Sequence, residues 1–143
     1  MASVAGEQSA AFAVELLTPL GKVLESRTFE VKLPTVDGQI GILTRHIPYI
    51  GLVGTGLIEF VTHDTNEVVR AVVAGGFCSF SGNTLTVLAD HVDLPEDVDA
   101  DSYAEQRETL QAIIAKGNQD THEVQRARED LARIEAIDRL ISH

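Results

Sequence analysis

The chain has 143 residues, 44% of them hydrophobic and 23% charged, which is the composition of a folded globule and not of a disordered segment. At this length about 70% of the surface exposed by the unfolded chain can be buried, so a core can form without staples. Eleven Lys and Arg against 22 Asp and Glu leave a formal charge of −11, which argues against nucleic acid and against an anionic lipid surface as direct partners. A single cysteine, Cys78, excludes an internal disulfide and a cysteine-based zinc cluster, and a lone thiol suits a reducing compartment. No apolar run approaches the ~18 residues of a membrane span, so direct membrane insertion is not expected. Met1 to Ser9 reads as a short lead-in without the features of a signal or transit peptide.

From Phe12 to about Asp90 the chain is written at strand period. Residues 28–33 alternate, and the pattern puts Phe29, Val31 and Leu33 on one buried face. Further runs are Ile40 to Leu43, Leu57 to Val61, Val68 to Ala74, Phe77 to Phe80 and Leu85 to Ala89. Turn-forming residues separate them: Asp37-Gly38, the series Gly51, Gly54 and Gly56, Asp64-Thr65-Asn66, Gly75-Gly76 and Ser81-Gly82-Asn83. Short strands with frequent turns and no intervening helices predict an antiparallel sandwich or barrel.

After Pro95 the texture changes to Ala, Glu, Gln, Arg and Leu, with no further proline and only Gly117 among glycines. Asp101 or Ser102 is expected to cap a first helix, with Tyr103, Leu110, Ile113 and Ile114 as its apolar stripe. Gly117-Asn118 marks its end, and Asp120 or Thr121 caps a second helix. That helix carries Val124, Ala127, Leu131, Ile134, Ile137 and Ile141 at spacings of 3, 4, 3, 3 and 4, one narrow face at helical period. Two such helices joined by a short turn make an antiparallel hairpin. Its stripes are narrow and partly alanine, so the pair cannot be self-sufficient. It is expected to lean on the sandwich or on a partner and to be able to let go. The division falls at 1–97 for the sheet and 98–143 for the hairpin.

Chemistry-bearing constellations are few. Residues 90–108 hold eight acids against Arg107 alone. Asp97, Asp99, Asp101, Glu105 and Glu108 fit a calcium-loop spacing, but Ser102 stands where the turn needs Gly and Pro95 interrupts the entering helix. His46, His63, His91, His122 and His143 show no metal-ligand spacing, so no metal is expected. No nucleophile elbow, phosphate loop or zinc-protease motif occurs. The glycines at 51, 54 and 56 do not open a helix as a dinucleotide fingerprint would. Cys78, between Phe77 and Phe80, reads as a buried inert thiol. Such a chain is an adaptor or regulatory subunit before it is an enzyme. The rival readings are a stand-alone sandwich binding a small ligand or peptide, and a small metal-dependent enzyme using His63, His91 and the junction acids.

Four stretches together resemble one family: FAVELLTPLG at 12–21, LPTVDGQIGIL at 33–43 followed by His46-Ile47-Pro48, AGGF at 74–77, and LTVLAD at 85–90 before the helix pair. Their order and spacing are similar to the epsilon subunit of the rotary ATP synthase of bacteria and chloroplasts, whose mitochondrial counterpart is called delta. The resemblance implies a ten-stranded antiparallel β-sandwich followed by an antiparallel two-helix hairpin. It implies a non-catalytic subunit at the foot of the central stalk, coupling proton-driven rotation to ATP synthesis, with no cofactor. The implied partners are the gamma subunit, the ring of c subunits and, when the hairpin extends, the alpha/beta catalytic head, where ATP hydrolysis is hindered. The implied location is peripheral, on the cytoplasmic face of a bacterial membrane or the equivalent face of another energy-transducing membrane. By resemblance Asp37, Gly38 and Gln39 lie toward the c-ring, with Gln39 neutral where many relatives are acidic, and His46 lies near the stalk. Arg126, Arg128, Arg133 and Arg139 are the hairpin residues that would meet acidic catalytic surface. Some relatives bind ATP through an Ile-Asp-x-x-Arg-Ala signature. Here Asp99 matches, but Ser102 replaces the arginine and Tyr103 the alanine, which argues against nucleotide binding.

Overall fold

A computed structural model describes residues 11–98, 100–117 and 121–141. Eight strands come first: β1 (Phe12–Thr18), β2 (Gly21–Thr28), β3 (Glu30–Thr35), β4 (Gly38–Leu43), β5 (Tyr49–Leu52), β6 (Thr55–Val61), β7 (Val68–Ser81) and β8 (Thr84–Asp93). A short 3-10 turn at Pro95–Asp97 leads into helices α1 (Ala100–Lys116) and α2 (His122–Ile141). The strands hydrogen-bond in the order β2-β1-β8-β7-β6-β3-β4, with β5 also on β7.

The sheet doubles over into a sandwich because β7 and β8 belong to both layers. The first half of β7 pairs with β6, Val61 opposite Val68 through Thr55 opposite Ala74, and its second half pairs with β5, Leu52 opposite Phe77 through Tyr49 opposite Phe80. At the bend, Gly75 and Gly76 take φ of 73° and 104°. A Cβ on Gly76 would collide with the Leu88 carbonyl, so this crossing admits only glycine. Gly75-Gly76 was expected to separate two strands, but it bends one strand of 14 residues, and β8 likewise continues through Asp90 to Asp93. The resemblance implied ten strands, and the described residues form eight. The sheet is also mixed, since β1 runs parallel to β8 with Ala13 opposite Thr84 and Leu17 opposite Leu88.

Strand alternation sends one set of side chains into a single core. Phe12, Val14 and Leu16 of β1, Leu85 and Val87 of β8, and Phe80 of β7 face Val31 and Leu33 of β3, Ile42 of β4, and Ile58 and Phe60 of β6. Phe12 and Phe80 meet edge to face at 5.2 Å. Phe29 does not join them and is 43% exposed. The chain bends at this residue, and the neighbouring Thr28 takes the buried position, donating from Oγ1 to the Val61 carbonyl at 2.7 Å and accepting from the Glu30 amide at 3.3 Å.

The helices lie on the outer face of the layer made by β3, β4, β6 and the first half of β7. Their contact is a second, smaller cluster separate from the main core: Ala136, Ile137 and Leu140 of α2 against Val72, with Leu57, Val98 and Tyr103 around it. This is why Ala71, Val72 and Val73 are all buried despite strand alternation: the sandwich covers one face and α2 the other. Thr121 caps α2, its Oγ1 accepting from the Val124 amide at 3.2 Å, and Gly117 closes α1 by donating to the Ile113 carbonyl at 3.0 Å. Asp120 and Asn118 lie outside the described residues. Because α1 already begins at Ala100, Asp101 and Ser102 stand inside its first turn and not before it. No residue among those described in α1 is fully buried, whereas α2 buries Val124, Ala127, Ile134, Ala136, Ile137 and Leu140. The buried face of α2 is broader than the expected stripe because it serves both α1 and the sheet, and Ile141 falls outside it, 41% exposed.

Candidate interaction surfaces

The Asp37-Gly38 turn closes the β3–β4 hairpin at one end of the sandwich. Buried Thr35 organises it, donating from Oγ1 to the Gly38 carbonyl at 2.6 Å and accepting from the Asp37 amide at 3.2 Å, while Gly38 takes φ of 121°. Val36, Asp37, Gly38 and Gln39 all face solvent, so a fixed turn presents one apolar, one acidic and one amide side chain end-on. Arg139, near the end of α2, shares a recess with Gly38, Gln39 and Gly56 at this same end.

His46 sits in the β4–β5 loop, half-buried. Its Nδ1 lies 2.7 Å from the Ile47 carbonyl and therefore carries the proton donated to it. The ring meets Tyr49 and Phe80 edge-on, each at 6.0 Å, so packing as well as hydrogen bonding fixes it.

Beside His46 runs a feature that the sequence reading missed. Leu52 of β5 lies opposite Phe77 of β7, Phe77 opposite Leu88 of β8, and Leu88 opposite Leu17 of β1. Register partners share a face, so four apolar side chains form one row across the outer surface of the layer that carries no helix. Phe77 is 49% and Leu52 61% exposed, and the neighbouring Ile50 is 79% exposed. An exposed apolar row on an otherwise acidic chain marks an interface. The sequence signal was present in β5, where both alternating faces are apolar, Tyr49 inward and Ile50 and Leu52 outward.

The four hairpin arginines separate. Arg126 and Arg128 are exposed on the first turns of α2, and Arg139 is exposed at its far end. Arg133 turns toward the sheet instead: Nε donates to Oδ2 and Nη2 to Oδ1 of Asp93, both at 2.7 Å. These hydrogen bonds raise the guanidinium pKa above its ordinary value against the opposing effect of partial burial. Arg107 of α1 pairs with Asp138 of α2 and ties the two helices together. Asp99 lies outside the described residues.

Two other histidines stand apart from these groups. His63, on the β6–β7 turn, packs against Phe29 at 5.0 Å, and His91 lies on β8 beyond the bend. Among the described residues no three His, Cys, Asp or Glu side chains are grouped to hold a metal ion. Cys78 is buried in the main core, and burial pushes its thiol pKa up.

Residues 11–94, the whole sandwich, match the family described as ATP synthase, Delta/Epsilon chain, beta-sandwich domain. The chain belongs to the ATP synthase delta/epsilon chain family. Bacterial relatives point to the epsilon type. An ATP synthase epsilon chain of Halalkalibacterium halodurans is 32% identical over 120 residues, covering 84% of this chain and 89% of the relative. One from Rhodococcus jostii is 36% identical over 110 residues, covering 73% and 89%. Among solved structures, a chain of the Euglena gracilis mitochondrial ATP synthase (OSCP/F1/c-ring) superposes with a TM-score of 0.78 at 16% identity, covering 91% of this chain and 81% of that one. A chain of the Tetrahymena thermophila central stalk/c-ring gives 0.60 at 17% identity, covering 90% and 95%. At these identities the superpositions show a shared fold. The epsilon chain is a non-catalytic subunit of the rotary ATP synthase, a membrane-associated complex. Among the described residues no helix is long and apolar enough to cross a membrane.

Proposed function

We propose that this chain is the foot of the central stalk, with one surface for each neighbour. The Leu17–Leu88–Phe77–Leu52 row docks on the gamma subunit, and His46, held rigid beside it, lies at the margin of that contact. The Val36-Asp37-Gly38-Gln39 turn meets the polar loops of the c-ring through hydrogen bonds from Gln39 in place of an ion pair. Residues 1–97 are the transmitting unit. Residues 98–143 are the regulatory unit, which leaves the sheet and extends toward the alpha/beta head, where Arg126, Arg128 and Arg139 meet carboxylates. On this reading the chain sits peripherally on the cytoplasmic face of a bacterial membrane or the equivalent face elsewhere.

The observation that carries this reading is the in-register apolar row, because nothing in the fold of a lone sandwich calls for exposed Phe77 and Leu52 in line with half-buried Leu88 and Leu17 on its outer face. The test is co-purification with the gamma subunit. Phe77→Asp and Leu52→Asp are expected to abolish it while leaving the unfolding midpoint nearly unchanged, since surface substitutions shift stability by only about 0.5 kcal/mol. Retention of both variants by gamma at the parent level would exclude this surface. ATP is expected not to bind at Asp99, where the arginine that would meet the phosphate is Ser102. Micromolar affinity in a calorimetric titration would contradict that.

A further inference from the structure

We propose that Asp93 and Arg133 form an exchangeable clasp that sets how often the hairpin leaves the sheet, with Asp130 as the carboxylate that receives the arginine when the clasp opens. This rests on the reading of 98–143 as a detachable unit. The buried polar side chains among the described residues are Thr28, Thr35 and Asp93. The two threonines bond to backbone within the sandwich. Asp93 is the acidic member of the three, 8% exposed, and its partner comes from α2, 40 residues away.

The geometry makes the clasp specific to the docked state. Asp93 lies opposite Val72, the residue at the centre of the small apolar cluster, so the ion pair and that cluster form and break together. Docking covers Asp93 and removes its water. A covered carboxylate is tolerable only when both oxygens are matched, and the two-pronged guanidinium supplies that match. With the hairpin away, Asp93 regains water and needs no partner. Arg133 meanwhile keeps one within reach, because Asp130 stands three residues earlier on the same helix, where side chains are neighbours. Asp130 already stands close enough to act on the guanidinium in the docked form. The arginine thus has an acid in each state, and the clasp exchanges one pairing for the other.

Three substitutions should therefore move the equilibrium by different amounts and in different directions. Arg133→Leu leaves Asp93 covered and unpaired, which penalises only the docked state. Asp93→Asn removes the attraction and the penalty together, so its effect is smaller. Asp130→Asn removes the fallback partner and favours docking.

The experiment uses the full chain carrying Val72→Cys, which places a thiol under α2. Its rate of reaction with a disulfide reagent reports hairpin opening, and Cys78 in the main core reports loss of the whole fold. In the parent, the introduced thiol is expected to react at least tenfold faster than Cys78. Arg133→Leu should speed it at least tenfold further, Asp93→Asn by less, and Asp130→Asn should slow it. If Arg133→Leu also exposes Cys78, Arg133→Lys, which keeps the charge but not the fork, serves instead and should speed opening severalfold. Rates within twofold of the parent for the Asp93 and Arg133 variants would overturn the clasp, and acceleration by Asp130→Asn would overturn the exchange. An introduced thiol no faster than Cys78 in the parent would instead overturn the detachable unit itself.

Discussion

Gly76 and Cys78 lie two residues apart on β7 and report different constraints. At Gly76 the backbone holds φ at 104° with the Leu88 carbonyl packed where a side chain would begin. Gly76→Ala is expected to destabilise the chain by about 3 kcal/mol, the upper end for a residue forced into a sparsely populated conformation, read as a lower midpoint in urea. Cys78 is wholly buried, and its raised pKa keeps it a neutral thiol. The folded chain therefore holds its proton to higher pH than the unfolded chain. This contribution to stability is full below the unfolded pKa near 9.0 and is lost as pH rises through the folded value. Native protein at pH 8 should react slowly with a thiol reagent and fully once unfolded. Rapid labelling of the native chain would show that the core admits solvent there. The inert thiol was legible from its apolar neighbours in the sequence. The role of Arg133 was not, because nothing local marks which of four arginines on one helix finds a carboxylate 40 residues upstream.

At the scale of elements, legibility followed periodicity. Residues 28–33 alternate cleanly, and Val31 and Leu33 are buried as the pattern requires, while Phe29 escapes because a bend resets the phase. The Gly75-Gly76 pair misled because a glycine pair has one appearance whether it ends a strand or bends it. Only the pairing partners on both sides, β5 and β6, distinguish the two cases. The parallel union of β1 and β8 spans some 70 residues and leaves no local trace. Helix α2 was read as a narrow stripe because a stripe suffices for one neighbour. It has two, so Ala136 and Leu140 are buried as well. Ile137 is wholly buried in the cluster that joins α2 to the sheet. Ile137→Ala should cost about 2–5 kcal/mol, the range for truncating a buried isoleucine, and the loss should appear first as faster amide exchange in α2. Equal acceleration across β3 and β6 would mean that the helix and the sandwich unfold together.

For the whole molecule, the decisive property is that the described residues form two apolar clusters, of which only one is large. The main core draws on strands from both layers and closes without any helical residue. The second cluster joins α2 to Leu57 and Val72, on the face opposite the row that contains Phe77. A chain ending at Val98 would keep every strand pairing and the whole main core. It would lose the cover over Leu57, Val72 and Asp93, and Asp93, returned to water, would need no partner. The expected cost is about 1.5–6 kcal/mol, the burial of one or two aliphatic side chains at about 1.5–3 kcal/mol each. In a domain of this size that lowers the melting temperature by roughly 4–8 °C per kcal/mol. The shortened chain should still unfold in one cooperative transition and should still co-purify with gamma, since the Leu17–Leu88–Phe77–Leu52 row is untouched. A shortened chain that keeps strand content but loses the cooperative transition would mean that α2 is part of what fixes the sandwich. The hairpin could then leave the sheet only by melting the sandwich, and the proposed division into a transmitting unit and a releasable unit would fail.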